Sequence, residues 1–267
     1  MRALPAGRQP VLDLHDVVVR SGPRQLLAVP RWTVGAGEHW AVLGHNGAGK
    51  STLLSLAGAQ RHPTAGTVDV LGSRLGRVDM RALRERIGAV STTERMPGEL
   101  TVADVVLTGV GATVQPRPEL YRPEHRRRVG ELVEQLGLTH VAAQSPAICS
   151  AGERARTRLA RALVADPALV LLDEPAAGLD IGGRELLLSA LDDLAQSHPD
   201  VTTVLVTHHL EELPMSTTHA LLLADGGVVA AGPAHDVLTS ATVSAAYGLP
   251  LRVSFDGRWA VRAQVAA

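Results

Sequence analysis

Several things are scarce in this 267-residue chain, and each scarcity excludes something. Aromatic residues make up 2% of it, one Phe, two Tyr and three Trp, so flat surfaces for stacking rings or bases are few. The single cysteine, Cys149, cannot form an intrachain disulfide or a zinc site, and the reducing cytoplasm is the expected compartment. Charge of one sign is also missing: 26 basic and 27 acidic residues give a formal net charge of -1, so no basic footprint calls for nucleic acid. No uninterrupted apolar run reaches the roughly 18 residues of a spanning helix. The start, MRALPAGRQP, has positive charge but no apolar stretch behind it and does not read as a secretory signal. Lysine is the oddest shortage. Of the 26 basic residues all are arginine except Lys50, which stands inside GHNGAGKST.

What is present is a globular composition, 45% apolar and 20% charged, without internal repeats or low-complexity stretches. Short β-branched runs alternate with helix-period segments, the pattern of an α/β domain with a largely parallel sheet. VLDLHDVVV (11–19) is expected as an early edge strand, HWAVLG (39–44) as a buried strand, STLLSLAG (51–58) as a helix stopped by Gly58, and TAGTVDVLG (64–72) as a short strand. ALVLLDEP (168–175) and TVLVTHH (203–209) read as buried strands whose carboxyl ends are polar, which is where open α/β sheets bind ligands. From about 100 to 165 the pattern is helical, predicting a helical subdomain inserted between core strands. The run His125 to Arg128 is expected on a solvated helix face. VSFDGRWAV (253–261) carries Asp256-Gly257 between alternating apolar residues, a hairpin signal. The expected division is a domain over 1–245 and a C-terminal tail over 246–267.

Gly44-x-x-x-x-Gly49-Lys50-Ser51 lies between a predicted strand and a predicted helix, the context a P-loop requires. The run Gly44, His45, Asn46, Gly47, Ala48, Gly49, Lys50, Ser51 and Thr52 can turn backbone N–H groups toward phosphate oxygens at a helix N-terminus, and Ser51 offers a hydroxyl to Mg²⁺. Lysine suits this loop because an ammonium is a compact point charge, whereas a guanidinium is a wide planar fork. Phosphoryl transfer also needs an acid for the metal and a group that positions water. LVLLDEP supplies Asp173 for the metal and Glu174 to orient or deprotonate water. In CSAGERARTRLARAL, Ser150 and Glu153 have capping-box spacing, and a capped helix start opened by Gly152 is also an anion site.

GHNGAGKST, CSAGE in the place of an LSGGQ signature, LVLLDEP, AGLD and VTHH occur in the order that resembles the ATP-binding cassette (ABC) ATPases, over residues 11 to 240. The wording of GEHWAVLG, LRERIGAVS, DEPAAGLD and VTHHLEELP is similar to the single-cassette bacterial branch described as molybdate- or iron-type transporter ATPases. This resemblance implies a P-loop NTPase core with an N-terminal antiparallel β region and the helical insertion, with ATP and Mg²⁺ as cofactors. It implies a head-to-tail homodimer in which Ser150 and Gly152 contact ATP held by the partner's P-loop, while Asp180 couples the two sites. His208, favoured over His209, matches the switch histidine beside Glu174. It further implies a transmembrane permease as partner, docked near GELTVADVVLTG (98–109), and a peripheral location on the cytoplasmic face of the membrane. The apolar residues of that segment equally fit an ordinary core.

Two positions depart from the family's pattern. Thr92 stands where a metal-sensing glutamine is usual, so either Thr92 coordinates weakly there or Glu94 substitutes for it. Ser21 stands where an aromatic usually stacks on adenine, leaving Arg20 or Arg24 to stack there, while Trp32 and Trp40 read as core. The function expected is an ATPase subunit powering a separate membrane transporter for a metal or oxyanion. The alternative is a soluble ABC-type ATPase acting on another macromolecule.

Overall fold

The structure, a computed structural model, describes residues 9–94 and 96–264. The N-terminal reading at residues 1–8 and the last three residues of the tail lie outside the described residues. The chain begins with β1 (Leu12–Ser21), β2 (Arg24–Val34), β3 (His39–Leu43), α1 (Lys50–Ala57), β4 (Ala65–Val70) and β5 (Ser73–Arg74). It continues through α2 (Met80–Arg84), β6 (Ile87–Ser91), α3 (Val102–Leu107), α4 (Pro123–Gln135), α5 (Ala151–Leu163), β7 (Leu169–Asp173) and α6 (Ile181–Ser197). The last third holds β8 (Thr202–Val206), β9 (His219–Ala224), β10 (Gly227–Pro233), α7 (Ala234–Val237), α8 (Ser240–Tyr247), β11 (Leu251–Phe255) and β12 (Trp259–Ala263).

Ten strands form one sheet in the order β5-β4-β1-β2-β10-β9-β3-β8-β7-β6. β9, β3, β8, β7 and β6 pair in parallel, and β5, β4, β1 and β2 pair antiparallel. This is a mixed α/β fold. The parallel strands are apolar on both faces because both faces are covered. Along β3, Trp40 and Val42 enter one buried cluster, and Ala41 and Leu43 enter the other. Leu169 and Leu171 of β7 likewise oppose Val170 and Leu172. One cluster gathers α1 and the N-terminal strands, and the second gathers α3 to α8.

Helices do occupy the 100–165 region. Val102, Val106, Val129 and Leu132 join the same buried cluster as one face of the sheet. Within 98–109, Val102, Val105, Val106 and Leu107 are buried, whereas Leu100 and Ala103 are half-buried. α1 ends at Gly58, as read from the sequence. The hairpin β11–β12 forms with Phe255 opposite Trp259, and Gly257, at a φ of 69°, makes its turn.

β1 is not an edge strand: it lies between β2 and β4. Its alternation buries Leu12, Leu14, Val17 and Val19, and its polar residues are met by neighbours, Asp13 accepting from Thr33 Oγ1 at 2.8 Å. The edges are instead β6 and the two-residue β5. Arg128 also differs from expectation. It is drawn out of solvent by Asp166 at 3.1 Å and His198 at 3.2 Å, pinning α4 to the ends of α5 and α6.

Candidate functional site

The loop between β3 and α1 owes its shape to three glycines with positive φ: Gly44, Gly47 and Gly49 at 155°, 87° and 102°. A Cβ on Gly44 would lie 2.3 Å from the Leu223 carbonyl oxygen, so no larger residue fits. The neighbouring β9–β10 turn braces the loop, with Gly226 N–H donating to the Ala48 carbonyl at 3.2 Å. His45 faces Asp225 of that turn at 3.6 Å. Gly226 and Asp225 were not anticipated from sequence, although their Asp-Gly pair between two apolar runs was the available signal.

Lys50 is buried, and its ammonium donates to the carbonyls of Gly44 at 2.7 Å and His45 at 3.1 Å. It thus spans the mouth of its own loop. Burial pulls Lys50 below its ordinary value, and Glu174 and Asp173 pull the other way. Ser51 is exposed in the first turn of α1, and Thr52 is half-buried beside it. Asn46 and Gly47 are exposed at the loop tip, while Ala48 is buried.

Asp173 is the last residue of β7, paired with Ser91 on one side and Val206 on the other. Burial pushes its carboxyl up, Glu174 adds to that, and Lys50 opposes it. Glu174 follows in the left-handed region at a φ of 45°, a conformation that costs a non-glycine residue about 1–3 kcal/mol. It is held there by its N–H donating to the Val206 carbonyl at 2.9 Å. The result aims Oε1 of Glu174 at Nδ1 of His208, 3.0 Å away. His209 packs ring to ring against His208 with centroids 4.0 Å apart and does not share this contact. Glu174, His208 and Arg184 line a cavity of about 330 Å³. Lys50, Asp173, Glu174 and His208 are thus one electrostatic unit built by β3, β7 and β8.

Ser150, Gly152 and Asp180 group instead at the adjoining N-termini of α5 and α6. Ser150 caps α5 in a reciprocal box with Glu153, at 3.2 Å and 2.7 Å. Asp180 caps α6 by accepting from Gly183 N–H at 2.7 Å. Gly152 is buried, and a Cβ on it would come within 3.2 Å of Gly183 Cα. The close approach that this glycine permits is therefore of helix to helix, not of an anion within one chain. Glu94 is not free to replace a glutamine: Arg161 holds its carboxylate at 2.9 Å and also donates to Thr108. Thr92 is half-buried and follows Ser91, the last residue of β6, which pairs with Asp173. Trp32 and Trp40 are core, packed edge to face. Ser21, Arg20 and Arg24 are exposed at the β1–β2 turn. Cys149 is buried and its thiol is pushed up by that burial, so it is a small core residue.

The profile of the ABC transporter family matches residues 27–177, which include the P-loop and the strand carrying Asp173. The chain belongs to the ABC transporter family. It is 33% identical over 249 residues to the ABC transporter ATP-binding protein YlmA of Bacillus subtilis strain 168, covering 92% of this chain and 94% of that one. It is 32% identical over 220 residues to the ferric enterobactin transport ATP-binding protein FepC of Escherichia coli K12, covering 82% and 80%. Among solved structures it resembles the dimeric post-hydrolysis state of the ATP-binding cassette MJ0796 bound to ADP and Pi, with a TM-score of 0.69, 25% identity, and coverage of 83% and 98%. As an ABC ATP-binding subunit this protein binds ATP and hydrolyses it. No helix among the described residues is long and apolar enough to cross a membrane.

Proposed function

We propose that this ABC ATPase works as a head-to-tail homodimer on the cytoplasmic face of the membrane, powering a separate transmembrane permease for a metal or oxyanion cargo. The observation that carries the reading is the Glu174–His208 pair at 3.0 Å beside Asp173 and Lys50. ATP would lie with its phosphates on the loop from Gly44 to Thr52 and Lys50 between the β- and γ-phosphates. Glu174 takes the proton of the attacking water, and His208 fixes the carboxylate through Nδ1 while Nε2 faces away from it. Charge develops in a pocket whose dipoles are already in place, so little reorganisation is needed.

Mg²⁺ fits the donor set. Ser51 offers one hydroxyl and Asp173 one carboxylate, which suits a cation that takes its other ligands from phosphate and water. No group of three or more His, Cys, Asp or Glu among the described residues gathers to hold a metal on protein ligands alone. When bound, the ion neutralises phosphate charge.

The dimer reading is supported by the surface next to Ser150 and Asp180. Ile148 and Ile181 flank these two caps and are 74% and 73% exposed, which is unusual for large apolar side chains gathered at one place. In the dimer this face would close over the partner's nucleotide, with Ser150 and the backbone at Gly152 toward its γ-phosphate and Asp180 between the sites. The MJ0796 cassette, dimeric with ADP and Pi, supports a dimer as such. The permease would dock near 98–109, where a cavity of about 180 Å³ is lined by Gly109, Glu94, Arg161, Gln60 and Arg84. FepC is named for ferric enterobactin transport, which supports a metal-chelate cargo class. The names of both curated relatives favour transport over a soluble ATPase with another macromolecular partner.

Glu174→Gln is the test. The variant should bind ATP, lose turnover, and shift from monomer to dimer on adding ATP and Mg²⁺ in light scattering. An active variant would remove Glu174 as the base, and a monomer under saturating ATP would remove the dimer.

A further inference from the structure

The segment after β10 takes no part in the chemistry above, yet it reaches the catalytic loop. α8 ends at Tyr247, stopped by Gly248 in the left-handed conformation. From there the Tyr247 hydroxyl donates to the backbone carbonyl of His208 at 3.0 Å. Burial pushes this hydroxyl up to about 12, against a backbone hydrogen bond from Gly44 that favours its ionised form. One phenol therefore holds the backbone of the residue that faces Glu174.

The rest of the C-terminal element grips the same stretch. Val261 N–H donates to Glu211 at 3.1 Å. Arg258 reaches the Leu213 carbonyl at 3.5 Å and Glu185 at 3.2 Å. The hairpin is fastened to α8 by Ser240 and Ser244, whose hydroxyls accept from Val253 and Leu251 N–H at 2.9 Å each. On the other side, the strand preceding His208 is fixed by Thr207 N–H on the Val42 carbonyl at 3.2 Å. His208 is thus the second residue past β8, and its carbonyl is anchored by a side chain 39 residues away.

We propose that Tyr247 is a positioning residue for ATP hydrolysis: by holding the His208 carbonyl it fixes the backbone from which the imidazole reaches Glu174. A carbonyl free to rotate changes ψ at His208 and swings the next peptide, and an imidazole displaced by an ångström no longer supports the carboxylate. The phenol suits the task because it is rigid and has one polar atom, which donates to the His208 carbonyl. This inference rests on the reading of Glu174 and His208 as the hydrolytic pair.

The test compares four forms of the full chain: parent, Tyr247→Phe, His208→Ala and the double variant. Hydrolysis is read by single turnover of radiolabelled ATP, so that slow backgrounds stay measurable, and ATP affinity is read separately. Tyr247→Phe keeps the ring in place and should melt within a few degrees of the parent. It should slow hydrolysis about fivefold to tenfold, the worth of one hydrogen bond expressed at the transition state, with ATP affinity within about twofold. In the His208→Ala background the same change should matter less than about twofold, since there is no imidazole left to place. A Tyr247→Phe rate equal to the parent, or the same slowing in both backgrounds, would overturn the inference while leaving the site intact. His208→Ala turning over at the parental rate would instead overturn the hydrolytic pair, and the inference with it.

Discussion

Lys50→Arg isolates the reason for the single lysine. The substitution keeps the charge and changes only its shape. Lys50 has three donors, and two of them are met by Gly44 and His45 carbonyls within the protein. A guanidinium brings five donors in a plane to the same buried site, so at least one is left facing protein without an acceptor. An orphaned buried donor costs about 1–3 kcal/mol. Taking about 2 kcal/mol of that as lost from the nucleotide-bound state gives an affinity about thirtyfold weaker. Fluorescent-nucleotide displacement in Mg²⁺ would read this directly, with Lys50→Ala as the reference that removes charge as well as fit. The expected order is parent, then Arg, then Ala. If Lys50→Arg bound within about threefold of the parent while Lys50→Ala did not bind, charge alone would explain the residue and the narrow-pocket argument would fail.

Three further predictions concern other parts of the site. With no aromatic at Ser21, GTP should compete with ATP to within about a hundredfold, roughly 2.7 kcal/mol; a larger preference in competition assays would show that the base is read by other means. Ser150→Ala should destabilise the chain by about 1 kcal/mol through loss of the α5 cap, read as a lower denaturation midpoint at unchanged slope. Glu153 is held below the ordinary carboxylate range by Ser150 N–H first, then the Ser150 hydroxyl and His140, so its contribution exists above that range and is lost as pH falls through its lowered value; Glu153→Gln should flatten that acid limb of the stability curve, and an unchanged limb would refute the linkage.

Local signals read well in this chain, and long-range ones did not. The strand-loop-helix around Lys50, the Ser150–Glu153 box, and the Asp256-Gly257 hairpin each depend on residues within a few positions, and each formed as read. β1 was misplaced because its second partner, β4, arrives some fifty residues later, and an alternating strand looks alike at an edge or inside an antiparallel region. Arg128 counted as surface in a run of charges, since the Asp166 and His198 that draw it in belong to other elements. Gly152 carried no hint that its neighbour would be Gly183. Glu94, offered as a substitute ligand, was claimed by Arg161 on a distant helix. Tyr247 is the extreme case: no sequence period links it to His208, and only the packed fold shows the contact.

The measurement that tests the central claim most directly starts from the Glu174→Gln chain, expected to bind ATP without turning it over. Tagged Glu174→Gln would be expressed in its native cell, the membranes dissolved in mild detergent with ATP and Mg²⁺, and the stoichiometric companions identified. A multi-spanning membrane protein at a fixed ratio to two copies of this chain is the predicted result. Recovery of ribosomal or DNA-repair proteins with no membrane protein would contradict the transport account.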